Sequence, residues 1–132
     1  MKIAVLGGGN GSFAAAGDLA LAGHQVRMWR RDGAAVAIHR AAGGTISLRD
    51  FRGRHEATLE LITHNIAAAV AGAELILCPT PAFAQADIAN LLAPHLVDEQ
   101  VVFLPPATFG SLLMAKTIRE TGNSARVAFA ET

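Results

Sequence analysis

The chain has 132 residues, 52% of them hydrophobic and 17% charged, with eleven basic side chains balanced by eleven acidic ones. That length predicts one domain, and the composition excludes a disordered chain, which is poor in apolar residues and rich in net charge. A formal net charge of zero excludes a global field that would gather nucleic acid or an anionic membrane, so any anion is bound locally. The single cysteine, Cys78, has no partner for an internal bridge and no companions for a zinc site, and it fits a reducing compartment, which makes a cytoplasmic location the expectation. The longest apolar stretches, such as Ala67 to Ala73, fall far short of the ~20 residues that cross a bilayer. Met1-Lys2 runs directly into Ile3-Ala4-Val5-Leu6, without the charged and apolar regions of an export signal.

Ile3 to Leu6 is a short, wholly apolar run, as expected of a parallel strand buried on both faces, and glycines end it. Phe13 to Leu21 reads as a helix stopped at Gly23, and Gln25 to Trp29 as a second strand. Asp32-Gly33 opens a helical stretch to about Ala42, closed by Gly43-Gly44. Thr45 to Leu48 and roughly His55 to Thr63 alternate polar and apolar residues around the polar segment Arg49 to Arg54, which predicts a hairpin-like excursion. Asn65 can cap a short helix over Ile66 to Val70, and Glu74 to Cys78 is another buried strand, stopped by Pro79, Thr80 and Pro81. A helix over Ala82 to Leu92, a strand over Val101 to Leu104, a helix over Ser111 to Thr121 and a strand over Arg126 to Ala130 complete the series. Such alternation predicts an α/β fold of Rossmann type, a doubly wound, mainly parallel sheet with helices on both faces, filling residues 1–132 as one domain, which the glycines between its first strand and first helix make a dinucleotide-binding one.

The strongest local signal is Gly7-Gly8-Gly9-Asn10-Gly11-Ser12 between the first strand and the first helix. In that setting Gly7 permits the tight turn and Gly9 lets the backbone approach a pyrophosphate at the helix N-terminus. The third fingerprint position falls on Ser12, whose hydroxyl is available to a phosphate, with Phe13 behind it. About twenty residues on, where a carboxylate would hold the adenosine ribose of NAD, the second strand ends in Trp29-Arg30-Arg31-Asp32. Arg30 in the acidic position, assisted by Arg31, favours the 2′-phosphate of NADP over NAD, with NAD kept open; the alternative leaves both arginines in solvent and gives the ribose to Asp32. Cys78-Pro79-Thr80-Pro81-Ala82-Phe83 and Leu104-Pro105-Pro106-Ala107-Thr108-Phe109 follow two strands at the carboxyl edge, where ligands of such sheets bind, so Pro79, Thr80, Pro81, Phe83, Pro105 and Ala107 are candidates for the nicotinamide side. Ser111 is a candidate helix cap there, and Cys78 reads as an inert small hydrophobe. His24, His39, His55, His64 and His95 show no metal-ligand spacing and read as surface or turn residues, and Trp29 reads as packing, with a stacking role beside the adenosine site kept open. No catalytic residue and no metal ligand is assigned.

Taken together, Gly7-x-Gly9-Asn10-Gly11, the strand ending at Trp29, Pro81-Ala82-Phe83-Ala84 and the closing Phe129-Ala130-Glu131-Thr132 resemble the cofactor domain of the opine dehydrogenase family, the octopine and nopaline dehydrogenases. The resemblance implies NAD(P)H as cofactor, and an amino acid and a 2-oxo acid as substrates of a reductive condensation. It also implies an all-helical domain carrying the catalytic histidine and its acidic partner, which this chain does not include, so the chain alone is expected not to turn over. Two departures stand out. Relatives often carry Asn-Pro-Gly where this chain has Leu104-Pro105-Pro106-Ala107, and an acidic residue where it has Arg30. Gly9 to Phe13, Gly23-His24 and Trp29-x-Arg31 also resemble glycerol-3-phosphate dehydrogenase, which stays open as the alternative enzyme, as does a non-enzymatic nucleotide-sensing module. A homodimer is left open.

Overall fold

The computed structural model describes all residues from Met1 to Thr132. Its centre is β1 (Lys2–Leu6), whose side chains alternate between two cores: Ala4 and Leu6 belong to one apolar cluster, Ile3 and Val5 to the other. A strand buried on both faces has no polar position to offer, which is why Ile3 to Leu6 is apolar throughout and only the exposed first residue, Lys2, is charged. β1 lies between β2 (Gln25–Trp29) and β6 (Leu75–Leu77), and the six strands stand in the order β5-β2-β1-β6-β7-β8, with every pairing parallel. β5 is Leu61–Thr63, β7 is Val101–Leu104 and β8 is Ala128–Glu131. This is the doubly wound Rossmann-type order, in which the winding reverses beside β1 and opens a crevice at the carboxyl ends of β1 and β6.

One face is covered by α1 (Asn10–Leu21), α2 (Gly33–Ala41) and a two-stranded antiparallel hairpin of β3 (Thr45–Asp50) and β4 (Gly53–Thr58). The other is covered by α3 (Ile66–Val70), α4 (Ala82–Leu92) and α5 (Gly110–Glu120), through Val70, Ile88, Leu92, Met114 and Ile118 among others. Caps read from sequence are in place. Asp32 Oδ1 accepts from Ala34 N at 2.9 Å and Ala35 N at 3.1 Å, and Asn65 Oδ1 accepts from Ala68 N at 3.3 Å. Each such cap is worth about 1 kcal/mol.

Four expectations need correction. The alternating run His55 to Thr63 is two strands: β4 pairs with β3 away from the main sheet, while β5 joins the main sheet beside β2. Alternation alone could not divide them, because the division depends on which strand each half meets. The hairpin turn is also tighter than Arg49 to Arg54, since Arg49 and Arg54 are paired across the ladder and Phe51-Arg52 make the turn. α1 begins at Asn10 rather than Phe13, so Asn10, Gly11 and Ser12 form its first turn and Gly9 caps it. Ser111 does not cap α5. Phe109 stands at the cap with a φ of 56°, and the carboxylate of Glu131, in β8, accepts from Phe109 N at 3.0 Å and Ser111 N at 2.8 Å.

Candidate dinucleotide site

The glycine loop leaves β1 at the switch point. Gly7 N donates to Trp29 O at 3.0 Å, which carries the β1–β2 ladder one step past the strand, and its φ of 140° is a backbone conformation that L side chains rarely adopt. Gly9 then opens α1, its carbonyl accepting from Phe13 N at 3.1 Å. No side chain caps this helix and its first turn carries no acidic residue, so its free N–H groups and positive end face the crevice.

Three buried polar atoms have no hydrogen-bond partner, Ser12 Oγ, Arg30 Nε and Thr80 Oγ1, and all three ring this loop. A side chain at Gly7 would start 2.5 Å from Ser12 Oγ and 3.2 Å from the Thr80 methyl, and one at Gly8 would start 2.7 Å from Arg30 Nε. At Gly9 nothing of the protein lies within 4 Å of the missing side chain. A buried polar atom without a partner costs about 1–3 kcal/mol. The loop is therefore closed on the protein side by unsatisfied donors and open on the crevice side. An oxyanion-bearing ligand such as a pyrophosphate fits this arrangement, because its oxygens are acceptors for hydroxyls, a guanidinium and helix N–H groups alike.

The two arginines after β2 diverge. Arg30 turns onto the loop, with its guanidinium carbon 5.1 Å from the Phe13 ring centre, and lines a cleft of about 520 Å³ between α1, α2 and β3 together with Asn10 and His39. His39 lies against Phe13 with ring centres 5.0 Å apart. Arg31 points instead to α4 and pairs with Asp87 at 3.6 Å, its side chain 63% exposed. Asp32 caps α2 through Oδ1 alone, and its Oδ2 takes no hydrogen bond from the protein. Arg30 is thus the charged group beside the loop, and Gly8, to which the glycine fingerprint gives no role, is small enough to let it lie there.

On the other side of Thr80, a second cavity of about 370 Å³ separates the loops that follow β6 and β7. Pro79, Thr80, Pro81 and Ala82 wall it on one side, Pro106, Ala107 and Thr108 on the other, with Gln85 among its lining. Pro79 also lies near Gly11, joining the two regions. Pro105 is half-buried outside this lining, and Phe83 is 87% exposed. The peptide between Pro105 and Pro106 is cis. Cys78 is fully buried just before this loop, and burial pushes its thiol up to about 12, so it is protonated and unreactive in the fold. Gln85 and Glu131 were not singled out as site residues by sequence. Gln85 does carry a readable signal, since it interrupts the buried stripe of Ile88, Ala89 and Leu92 on α4 with a polar group.

The family described as the N-terminus of NAD-dependent glycerol-3-phosphate dehydrogenase matches residues 2–126. An opine dehydrogenase of Arthrobacter sp. (strain 1C) is 36% identical over 90% of this chain and 33% of its own length. A glycerol-3-phosphate dehydrogenase [NAD(P)+] of Leuconostoc citreum (strain KM20) is 34% identical over 96% of this chain and 40% of its own length. The chain therefore spans a third to two fifths of these curated relatives. Among solved structures, an octopine dehydrogenase in complex with NADH and agmatine superposes with a TM-score of 0.81 at 22% identity, over 98% of this chain and 34% of that one, a likeness of fold.

Proposed function

The chain belongs to the family of NAD-dependent glycerol-3-phosphate dehydrogenase N-termini and is a dinucleotide-type domain related to opine dehydrogenase, and on that premise we propose that it is the NADPH-binding part of an opine dehydrogenase-like oxidoreductase. The observation that carries the reading is the ring of three unpartnered polar atoms, Ser12 Oγ, Thr80 Oγ1 and Arg30 Nε, around a glycine loop that is open at Gly9. In this reading Gly7, Gly9, Asn10, Gly11 and Ser12 receive the pyrophosphate with the N-terminus of α1. Arg30, steadied by Phe13, takes the ribose 2′-phosphate, a role for which a fixed guanidinium suits and a carboxylate would repel. Pro79, Thr80, Pro81 and Ala107 wall the nicotinamide end. Arg31 serves as a more distant positive charge, already paired with Asp87.

A nicotinamide held here would supply a hydride when bound, and the residues of this chain would bind and orient the dinucleotide, with Pro79, Thr80, Pro81 and Ala107 along the ring. In the reaction of the opine type, an amino acid and a 2-oxo acid lose water to form an imine, and the imine gains a hydride and a proton to become a secondary amine. No histidine–carboxylate pair stands at the crevice: the His55–Asp50 pair lies in the hairpin, at 3.1 Å. A helical domain outside residues 1–132 is the source of the acid–base group, and the compartment is the cytoplasm. The second reading, reduction of a glycerol-3-phosphate-type substrate, is favoured by the family match over residues 2–126, whereas the greater identity to the opine enzyme favours the first.

Calorimetric titration with NADPH and NADH tests the cofactor assignment. NADPH should bind more tightly by about ten- to a hundredfold, the worth of a charged hydrogen bond, and added salt should erode that margin. Equal affinities at low salt would make Arg30 a surface arginine and remove the NADPH assignment.

A further inference from the structure

Four asparagines stand in the chain, and the fold holds three of them. Asn65 Oδ1 accepts from Ala68 N at 3.3 Å, and Asn90 Nδ2 donates to Ala86 O at 3.1 Å. Asn123 is held at both ends of its amide: Nδ2 donates to Ala93 O at 2.6 Å and Leu96 O at 3.1 Å, and Oδ1 accepts from Ala125 N at 2.7 Å. Asn10 is exposed, and no such bond holds its side chain. It is also the one asparagine followed by a glycine, since the others precede Ile66, Leu91 and Ser124.

The backbone after Asn10 is equally free. α1 opens on Gly9 without a side-chain cap, and the first N–H of the helix to find an acceptor is that of Phe13, so the Gly11 N–H is unpaired. A side chain at Gly11 would meet only Pro79 Cβ, at 3.9 Å, so nothing crowds this peptide. An unpaired peptide nitrogen next to an unheld side-chain amide can attack it within the chain, with no entropy of association to meet. The helical turn keeps the two groups apart, and the reaction starts from conformers in which this uncapped terminal turn has opened.

We propose that Asn10 is a deamidation site of the free domain, and that a dinucleotide bound at the glycine loop protects it. Gly11 N gives up its proton and attacks Asn10 Cγ. The N–Cγ bond forms as the Cγ–Nδ2 bond breaks, and Nδ2 leaves as ammonia with that proton. Water then opens the five-membered imide at either carbonyl, giving aspartate or isoaspartate, with no change of oxidation state. The protection rests on the dinucleotide reading above, because phosphate oxygens that accept from the N–H groups of the first turn hold it closed. A carboxylate at residue 10 suits the positive end of α1 but repels a pyrophosphate there, and isoaspartate lengthens the backbone by one carbon at the start of the helix. A domain left without cofactor thus loses the capacity to take it up.

The test ages the purified chain in mildly alkaline buffer below its melting temperature, with and without saturating NADPH, and reads its peptides by mass spectrometry. Without ligand, Asn10 should pass to aspartate and isoaspartate while Asn65, Asn90 and Asn123 persist, and the number of NADPH sites found by calorimetry should fall in step with intact Asn10. Retention of Asn10, or its conversion at the pace of the other three, overturns the site. With NADPH bound, the loss should slow in proportion to the fraction of chain left free; an unchanged rate in chain that calorimetry shows to be saturated overturns the protection. Asn10→Asp, which adds a favourable charge to the first turn, should fold as the parent does by circular dichroism and bind NADPH at least about tenfold more weakly, through like-charge repulsion. Equal affinity overturns the consequence drawn for the loop. A parent chain that never binds NADPH removes the dinucleotide reading and the protection with it, while the fate of Asn10 in that chain still decides the site.

Discussion

Arg30 is held by its neighbours before any ligand arrives. Gly8 has no side chain to displace it, and the Phe13 ring lies 5.1 Å from its guanidinium carbon. A guanidinium fixed in this way loses little freedom on meeting a phosphate, which is where an arginine differs from a lysine at the same position. Arg30→Asp should lower NADPH affinity by about ten- to a hundredfold while NADH affinity is held or improved, through loss of attraction and added repulsion; the pair of calorimetric constants measures it. Cys78 belongs to the same scale. Its thiol, pushed up to about 12 by burial, should resist alkylation in the folded chain at neutral pH and react on denaturation, as mass spectrometry of the two states would show.

At the scale of elements, the loop after β7 depends on a residue from the far end of the chain. Glu131, at the end of β8, holds the N-terminus of α5, and the backbone N–H of Ser111 is the main reason its carboxyl sits below the ordinary 4.5. A carboxyl lowered in the fold contributes stability that is fully present above its unfolded pKa and is lost as pH falls through the folded value. The chain should therefore lose melting temperature on acidification below about pH 4.5 more steeply than Glu131→Gln does, and the two curves should approach one another in acid. A Glu131→Gln variant with an identical acid profile would show that the cap carries no linkage.

The same element shows why the sequence yielded some features and withheld others. β7 and Ile3 to Leu6 of β1 were legible because a strand buried on both faces must be apolar along its length, and α4 was legible because Pro81 and the residues after Leu92 bracket it. β5 was not, since three residues with one neighbour carry too little pattern, and its place is set by pairing with Arg27 to Trp29. The glycine loop was legible through its position between strand and helix. Glu131 as the cap of α5, Gly8 as the bed of Arg30 and the divergence of Arg31 toward Asp87 are contacts between segments distant in the chain, and no local pattern encodes them.

For the whole molecule, the division of labour follows from the two faces of one sheet. Helices and the β3–β4 hairpin cover the two faces, which leaves the carboxyl edge open, and there the proposed site has binding groups without an acid–base pair. Purified chain supplied with NADPH, an amino acid and a 2-oxo acid should show no amine-dependent loss of the reduced cofactor's absorbance. Turnover under those conditions would place the acid–base group within residues 1–132 and overturn the proposed division.

The claim on which the rest depends is that the glycine loop receives the pyrophosphate, and Gly9 is the position that isolates it. A side chain at Gly9 meets no protein atom within 4 Å, and its φ of −84° is ordinary for any residue, so Gly9→Val should fold as the parent does and differ only in filling the space open to the ligand. Calorimetric titration of NADPH into both proteins, with circular dichroism to verify the fold, is the direct measurement. Saturable binding by the parent and its loss in a folded Gly9→Val is the expected result; equal affinity in the two would contradict it.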